Sequence, residues 1–442
     1  NTAHGTFSLF SNTEGTANTA NGDQALFSNL TGRDNTADGV SALFNNITGT
    51  RNTAIGALTL FNNTAGNENT AIGVEALFAN TTGNFNTAIG LDTLFRNTEG
   101  TANTANGYQA LFSNTEGASN TACGAQALLS NTTGVANTVI GATALSSNTT
   151  GGYNTASGVG ALSGNTIGSD NTATGALALS NNISEGFNTA TGSNALFNNT
   201  TGAANTANGY QALFTNGTGV GNTAIGDQAL FNSTSNFNTA LGTQAGTGVT
   251  TADGVICIGT NGQNVSNSCF IGNIRGATTA QPDAVPVVID SLGQLGTQSS
   301  SRRFKSEIRP MGNASESILA LNPVTFRYKN HAESIPQFGL IAEDVAMVNP
   351  ALVVRDKNGE IYTVRYDAVN AMLLNEFLKE HCKVEAQQAM ISELKSTVAR
   401  QQKGMDVLTS QLKEQAARIE TVSAQLEINL PAPKVVTNQS KY

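Results

Sequence analysis

The chain has 442 residues and a formal net charge of −9, unevenly divided: residues 1–246 carry 12 acidic and 3 basic side chains and no lysine, and the rest carries 19 of each sign. An acidic surface repels phosphates, which disfavours nucleic acid as a partner of the first part. No apolar run approaches the roughly 18 residues of a membrane span, the four cysteines lack metal-ligand spacing, and His4, His331 and His381 lie far apart, so membrane insertion, a metal centre and a cofactor are not expected.

The chain begins at Asn1 rather than Met, as a processed product or a fragment would. Residues 1–246 are a repeat. Asn-Thr-Ala, or Asn-Thr-Val at Asn137, recurs every 17 residues from Asn1 to Asn222, and a fifteenth copy starts one residue early at Asn238. The consensus is N-T-A-x-G-x-x-A-L-F-x-N-T-T-G-x-x. Position five is Gly throughout, from Gly5 to Gly242, and position nine is Leu in every full copy. Gly, Asn and Thr at this density disfavour helix. A single copy cannot bury its leucine, whereas stacked copies can. Each repeat therefore predicts one coil of a β-solenoid, with the fixed asparagines stacked as an amide ladder. At roughly 4.8 Å per coil the rod is about 70 Å long. The N-T-A-I-G form at Asn52, Asn69, Asn86 and Asn222 resembles the head repeats of trimeric autotransporter adhesins, which implies three chains.

Position ten changes along the rod. It is Phe from Phe10 to Phe112, then Leu129, then Ser146, Ser163 and Ser180, then Phe again at Phe197, Phe214 and Phe231. An inward-facing position would leave a dent there, sized for a ligand such as a glycan; a half-exposed one would simply drift. The carboxylates Glu14, Asp23 and Asp92 sit at variable positions and form no recurring pair of the kind glycosidases use.

Residues 247–298 read as a β neck. Val255–Gly259 and Cys269–Ile274 are short strands, Pro282 and Pro286 interrupt the chain, and Val287–Ile289 is a further strand before a turn at Asp290–Gly293. Cys257 and Cys269 read as small buried residues, with a disulfide between neighbouring strands as the alternative.

Residues 299–376 read as a small α+β domain. It opens on Ser299-Ser300-Ser301-Arg302-Arg303-Phe304-Lys305. A serine needs a base, and a lysine serves when burial or adjacent cations such as Arg302 and Arg303 favour its neutral form. Five residues do not share a helix face, so Ser300 is expected to precede a helix starting near Lys305. Four further blocks follow in order. They are Leu319-x-Leu321-x-Pro323-Val324-x-Phe326-Arg327-Tyr328, Gly339-Leu340-Ile341-Ala342-Glu343-Asp344-Val345, Pro350-x-Leu352-Val353 and Val364-x-Tyr366-x-x-Val369-x-x-Met372-Leu373. Together with Ser300-x-Arg302-Arg303-Phe304-Lys305-x-x-Ile308 they resemble the intramolecular chaperone domain of phage tail fibres and endosialidases, the peptidase S74 family. The resemblance implies a homotrimer that guides fibre folding and then cuts itself off, with Ser300 as nucleophile and Lys305 as general base. Ser301 stands where that family often has Asp. The cut is placed at Ser299–Ser300, with the next bond as the alternative. Leu319, Leu321, Val324, Phe326, Leu340 and Ile341 read as core, and Asp356-Lys357-Asn358-Gly359 as a hairpin turn.

Residues 377–429 carry a heptad. Position a is Phe377, Val384, Ile391, Val398, Met405, Leu412, Ile419 and Leu426, and position d mixes Leu394, Leu408 and Val422 with Glu380, Gln387, Gln401 and Gln415. A seven-residue period this long predicts a left-handed coiled coil. Pro431 and Pro433 end it, leaving residues 430–442 as a tail.

The fold class expected is thus mainly β with a C-terminal α coiled coil. The function expected is that of a homotrimeric fibre, on a virion tail or an extracellular surface, whose only enzyme activity is one self-directed cut per chain. Its possible external partner is a cell-surface glycan or another receptor. The rival readings are an adhesin whose terminal domain stays attached, or a solenoid that binds ice through flat threonine rows or a glycan. Three identical chains displaced by 17 residues would pair almost as well as chains in register, so a terminal clamp is expected to set the alignment.

Overall fold

A computed structural model describes residues 1–280, 283–290, 292–329, 335–356 and 358–428. Pro282, Ser291, His331, Lys357 and the tail with Pro431 and Pro433 lie outside the described residues. The chain divides into two units, Asn1–Thr278 and Thr279–Tyr442.

The first unit is the β-solenoid. Each coil contributes one three-residue strand, from β1 (Thr2–His4) to β15 (Thr239–Leu241), and all are parallel and in register. Thr53, Ala54 and Ile55, for example, pair with Thr70, Ala71 and Ile72. The ladder does not stop at residue 246. β16 (Ile256–Ile258) pairs with β15, and β17 (Cys269–Ile271) pairs with β16, so the first two strands of the neck are further coils of the rod. The sequence period disappears there while the stacking continues, because Val255 and Cys257 supply the buried apolar contacts.

The core is a column of Ala at positions three and eight, replaced by Thr59, Thr93 and Val139, with Leu at position nine, all fully buried in the middle coils. Leu111 adopts a left-handed backbone, φ 53°, as nearly every position-nine leucine does. That conformation costs an L residue about 1–2 kcal/mol. It directs the Leu111 N–H to the Ala127 carbonyl of the next coil at 2.9 Å. Complete burial of the side chain offsets the cost.

Two asparagine ladders run through the rod. At position one, Asn52 donates from its backbone N–H to Asn35 Oδ1 at 2.9 Å and from Nδ2 to the Gly66 carbonyl at 2.8 Å. At position twelve, Asn63 Nδ2 donates to Asn46 Oδ1 at 2.7 Å and to the same Gly66 carbonyl at 3.0 Å. Glycine suits position fifteen because a Cβ on Gly66 would lie 2.3 Å from Asn63 Oδ1, although one copy carries Glu185 there and its carbonyl accepts the same bonds from Asn171 and Asn182. The second ladder ends at Asn216. The next repeat is one residue short and carries Ser233 at position twelve, so the buried Asn216 Oδ1 has no partner.

Position ten does not face inward. From Phe27 on its phenylalanines are half-buried in the wall and stack ring on ring, as for Phe27 and Phe44 with centroids 4.9 Å apart and planes at 4°. Between Phe112 and Phe197 the stack is interrupted. There the Ser163 and Ser180 hydroxyls bond each other at 3.0 Å.

Cys257 and Cys269 sit on adjacent strands but cannot form the disulfide considered from sequence. Cys257 opposes Phe270 and points inward, whereas Cys269 opposes Ile256 and is exposed. Burial pushes the Cys257 thiol pKa up. Cys123 and Cys382 are also exposed, so only Cys257 is a core residue.

In the second unit β18 (Val287–Ile289) and β19 (Leu295–Thr297) form a hairpin. A 3-10 turn (Arg302–Phe304) and a longer 3-10 segment (Gly312–Ala320) follow. Next come the antiparallel pair β20 (Val324–Phe326) and β21 (Gln337–Gly339), α1 (Ala342–Val348), and the hairpin β22 (Val353–Arg355) and β23 (Ile361–Val364). The Asp356–Gly359 turn closes with Gly359 N–H on the Asp356 carbonyl at 3.0 Å. The unit ends in α2 (Tyr366–Ile428), a single helix of 63 residues. Its length is about 95 Å at 1.5 Å per residue.

Candidate self-cleavage site

The chain around Ser300 folds back on itself over five residues. The Phe304 N–H donates to the Ser301 carbonyl at 3.0 Å and the Lys305 N–H to the Arg302 carbonyl at 3.1 Å. These two bonds close the 3-10 turn. No helix starts at Lys305; that residue is already extended, with φ −122° and ψ 136°. The turn does what one helix face could not. It brings Lys305 Nζ to 2.9 Å from Ser300 Oγ, with the ammonium donating to the hydroxyl. Ser299 lies at the same bend, its Oγ accepting from the Ser301 N–H at 3.3 Å. Arg303 sits over the Phe304 ring, 4.6 Å from its centroid. All of these residues are exposed in the single chain.

The domain has a small core of Ile318, Val345, Leu352, Val364 and Met372. Leu321 and Leu340 pack against it as expected. Leu319 and Ile341 do not: Leu319 is 72% exposed. One chain has too few elements to cover both sides of the short segments that carry them. An apolar groove of about 520 Å³ remains open, lined in part by Ile318, Leu321, Phe338, Leu340, Val369 and Leu373. Two of the sequence blocks meet at its edge, where the Leu340 N–H donates to the Tyr366 hydroxyl at 3.1 Å. Position a of the heptad is also uncovered along α2, from Phe377 to Leu426.

A second polar cluster ties the 3-10 segment to α2. Ser315, fully buried, donates to Glu376 Oε1 and accepts from Asn375 Nδ2 at 2.6 Å. Lys379 Nζ donates to Glu376 Oε1 at 2.8 Å. Sequence reading missed this cluster. The Glu376–Lys379 spacing is visible on the helix, but nothing signals a serine 61 residues upstream. The bonds from Lys379, then from Ser315, hold the Glu376 carboxyl below the usual carboxylate range. The bond to Glu376 raises Lys379. A depressed carboxyl stabilises the fold above its unfolded pKa and loses that contribution as pH falls through the folded value. The thermal stability of the C-terminal unit is therefore expected to fall on acidification below the ordinary glutamate range, about 4.3. Glu376→Gln should flatten that acid limb, and an unchanged limb would show that the cluster does not act on stability.

Residues 300–354 match the model of the peptidase S74 family, described as the chaperone of endosialidase. The match spans both Ser300 and Lys305 and ends before Tyr366. No curated protein and no solved structure matches the chain. A chaperone-type domain thus follows a β-solenoid rod in one fibre-like polypeptide.

Proposed function

We propose that the chain is the subunit of a trimeric fibre, on a virion tail or another extracellular surface, whose C-terminal unit joins the copies and then cuts itself free. The observation that carries this is the 2.9 Å contact between Lys305 Nζ and Ser300 Oγ inside the segment matched by the chaperone family. Ser300 Oγ attacks the carbonyl carbon of Ser299, and the neutral Lys305 amine takes the hydroxyl proton. The bond from that carbon to the Ser300 nitrogen breaks, and Lys305 returns the proton to the leaving amine. The resulting ester between Ser299 and Ser300 Oγ is hydrolysed by water, which leaves a carboxylate on Ser299 and a free amine and hydroxyl on Ser300.

Lysine acts as a base only without its extra proton, and burial favours that form. Because Ser300 and Lys305 are exposed in one chain, packing of copies supplies the burial. The cut then waits for assembly. The uncovered heptad seam and the open apolar groove favour such packing, and three is the number the family resemblance implies.

Light scattering tests the assembly. The full chain is expected at three times its monomer mass of 45.5 kDa when the cut is blocked by Ser300→Ala. Adding Ile391→Asp and Val398→Asp places carboxylates in the seam and should give monomers, since a buried unpaired charge is costly. An unchanged mass would refute a role for the seam.

A further inference from the structure

The proposed cut removes the heptad seam from the rod. Whatever holds the copies together afterwards must lie before Ser300. The hairpin β18–β19 ends at Thr297 and stays with the rod.

Its turn is well built. Asp290 Oδ1 accepts from the Leu292 and Gln294 N–H groups, each at 2.9 Å, and Gly293 donates to the Asp290 carbonyl at 3.0 Å with its φ at +86°. Ile289 opposes Leu295 and Val287 opposes Thr297 across the pair. Side chains alternate between the faces of a strand, so Val287, Ile289 and Leu295 share one face. They are 66%, 67% and 65% exposed. A lone two-stranded hairpin is at best marginal in water, and among the described residues its apolar face is left uncovered. Asp290 is the sole charged residue in 287–297. The stretch therefore offers little charge to select a foreign partner, and little repulsion between copies of itself.

We propose that this face is the contact through which the copies hold one another, and that it keeps the rods joined once the C-terminal unit has left. The occupant is the same hairpin of the other copies, which the α2 seam has already brought alongside. The inference rests on the assembly and cleavage proposed above, and its test separates the two.

The first lysine of the chain is Lys305. A lysine-specific protease applied to the assembled full chain therefore leaves the rod whole, as residues 1–305 of an uncut chain or residues 1–299 of one that has cut itself. The mass of the released rod is then read by light scattering. The natural rod is expected at three times its monomer mass. In the Ser300→Ala chain, Ile289→Asp, and separately Val287→Asp, should leave the unsevered assembly at its trimeric mass and drop the rod released by the protease threefold, to monomers. Gln294→Glu, which adds a charge off this face, should change nothing. A natural rod that is monomeric after severing overturns the proposal, as does an Asp variant whose released rod stays trimeric. A full chain that is monomeric before severing overturns it as well. A trimeric rod from a chain that never cuts itself would support the hairpin contact and remove the cleavage reading alone.

Discussion

The Ser300→Ala chain is expected to stay whole at 45.5 kDa, while the natural chain separates into fragments that meet at Ser299–Ser300. Alanine keeps the turn, because the two bonds that close it run between backbone groups of residues 301 to 305. Only the nucleophile is lost. Lys305→Arg is the sharper probe of mechanism. It keeps the positive charge and a donor within reach of Ser300, but a guanidinium is not deprotonated in proteins. Loss of the base should slow the cut by about 10²–10⁴, the usual range for general acid–base catalysis. Both variants should assemble like the natural chain. Fragment masses read against time decide the matter. Cutting of Lys305→Arg at the natural rate would mean that the amine only positions the serine.

A single methyl group in the rod is expected to have the second largest effect. Gly107 holds position five with φ +140°, and a Cβ there would lie 2.5 Å from the Gly124 carbonyl oxygen of the next coil. Gly107→Ala thus meets backbone strain and a clash against backbone that is itself held in the ladder. Strained backbone costs about 1–3 kcal/mol and overpacking about the same again, so a loss of about 2–6 kcal/mol is expected. Solenoid stability is close to a sum over coils and their interfaces, which localises the damage to the coils on either side. Glu116→Ala, on an exposed side chain of the following stretch, should stay within about 0.5 kcal/mol. Urea unfolding midpoints of the two variants test this. Equal midpoints would mean that the coils are further apart than the stacked carbonyls indicate.

The rod was legible in the sequence because its rules repeat. The period gave the coil, the constant leucine gave the core, and the constant asparagines gave the ladders. What stayed hidden was conformation without a sequence mark. Nothing in a leucine announces a left-handed backbone, and β16 and β17 join the ladder after the consensus has faded. Position ten was ambiguous for a related reason. A half-buried ring that stacks only on its own copies reads like a core ring.

At the C-terminal end the blocks identified the domain, but helix geometry misdirected the local reading. Ser300 and Lys305 flank a 3-10 turn, and the reversal of the chain across it, with Lys305 already extended, brings their side chains together. Leu319 and Ile341 were expected inside because they are apolar and fall within matched blocks. In one chain they face outward. The cluster of Ser315, Asn375, Glu376 and Lys379 depends on a contact between distant segments and left no local signal.

The structure also changes what a terminal clamp is for. Strand pairing in the rod runs between successive coils of one chain, as between Thr53 and Thr70. Each chain sets its own ladder register, and a displacement of 17 residues between chains does not arise within it. A clamp that joins copies instead fixes how whole rods line up against one another. In the proposed trimer, loss of the clamp after packing would leave the rods trapped in that alignment by the barrier to separating them.

Native mass spectrometry of the full chain as expressed tests the central claim most directly, since it reads covalent integrity and copy number in one spectrum. The expected spectrum holds trimers of residues 1–299 together with trimers of a fragment beginning at Ser300. A single species of uncut, monomeric chain at 45.5 kDa would contradict it.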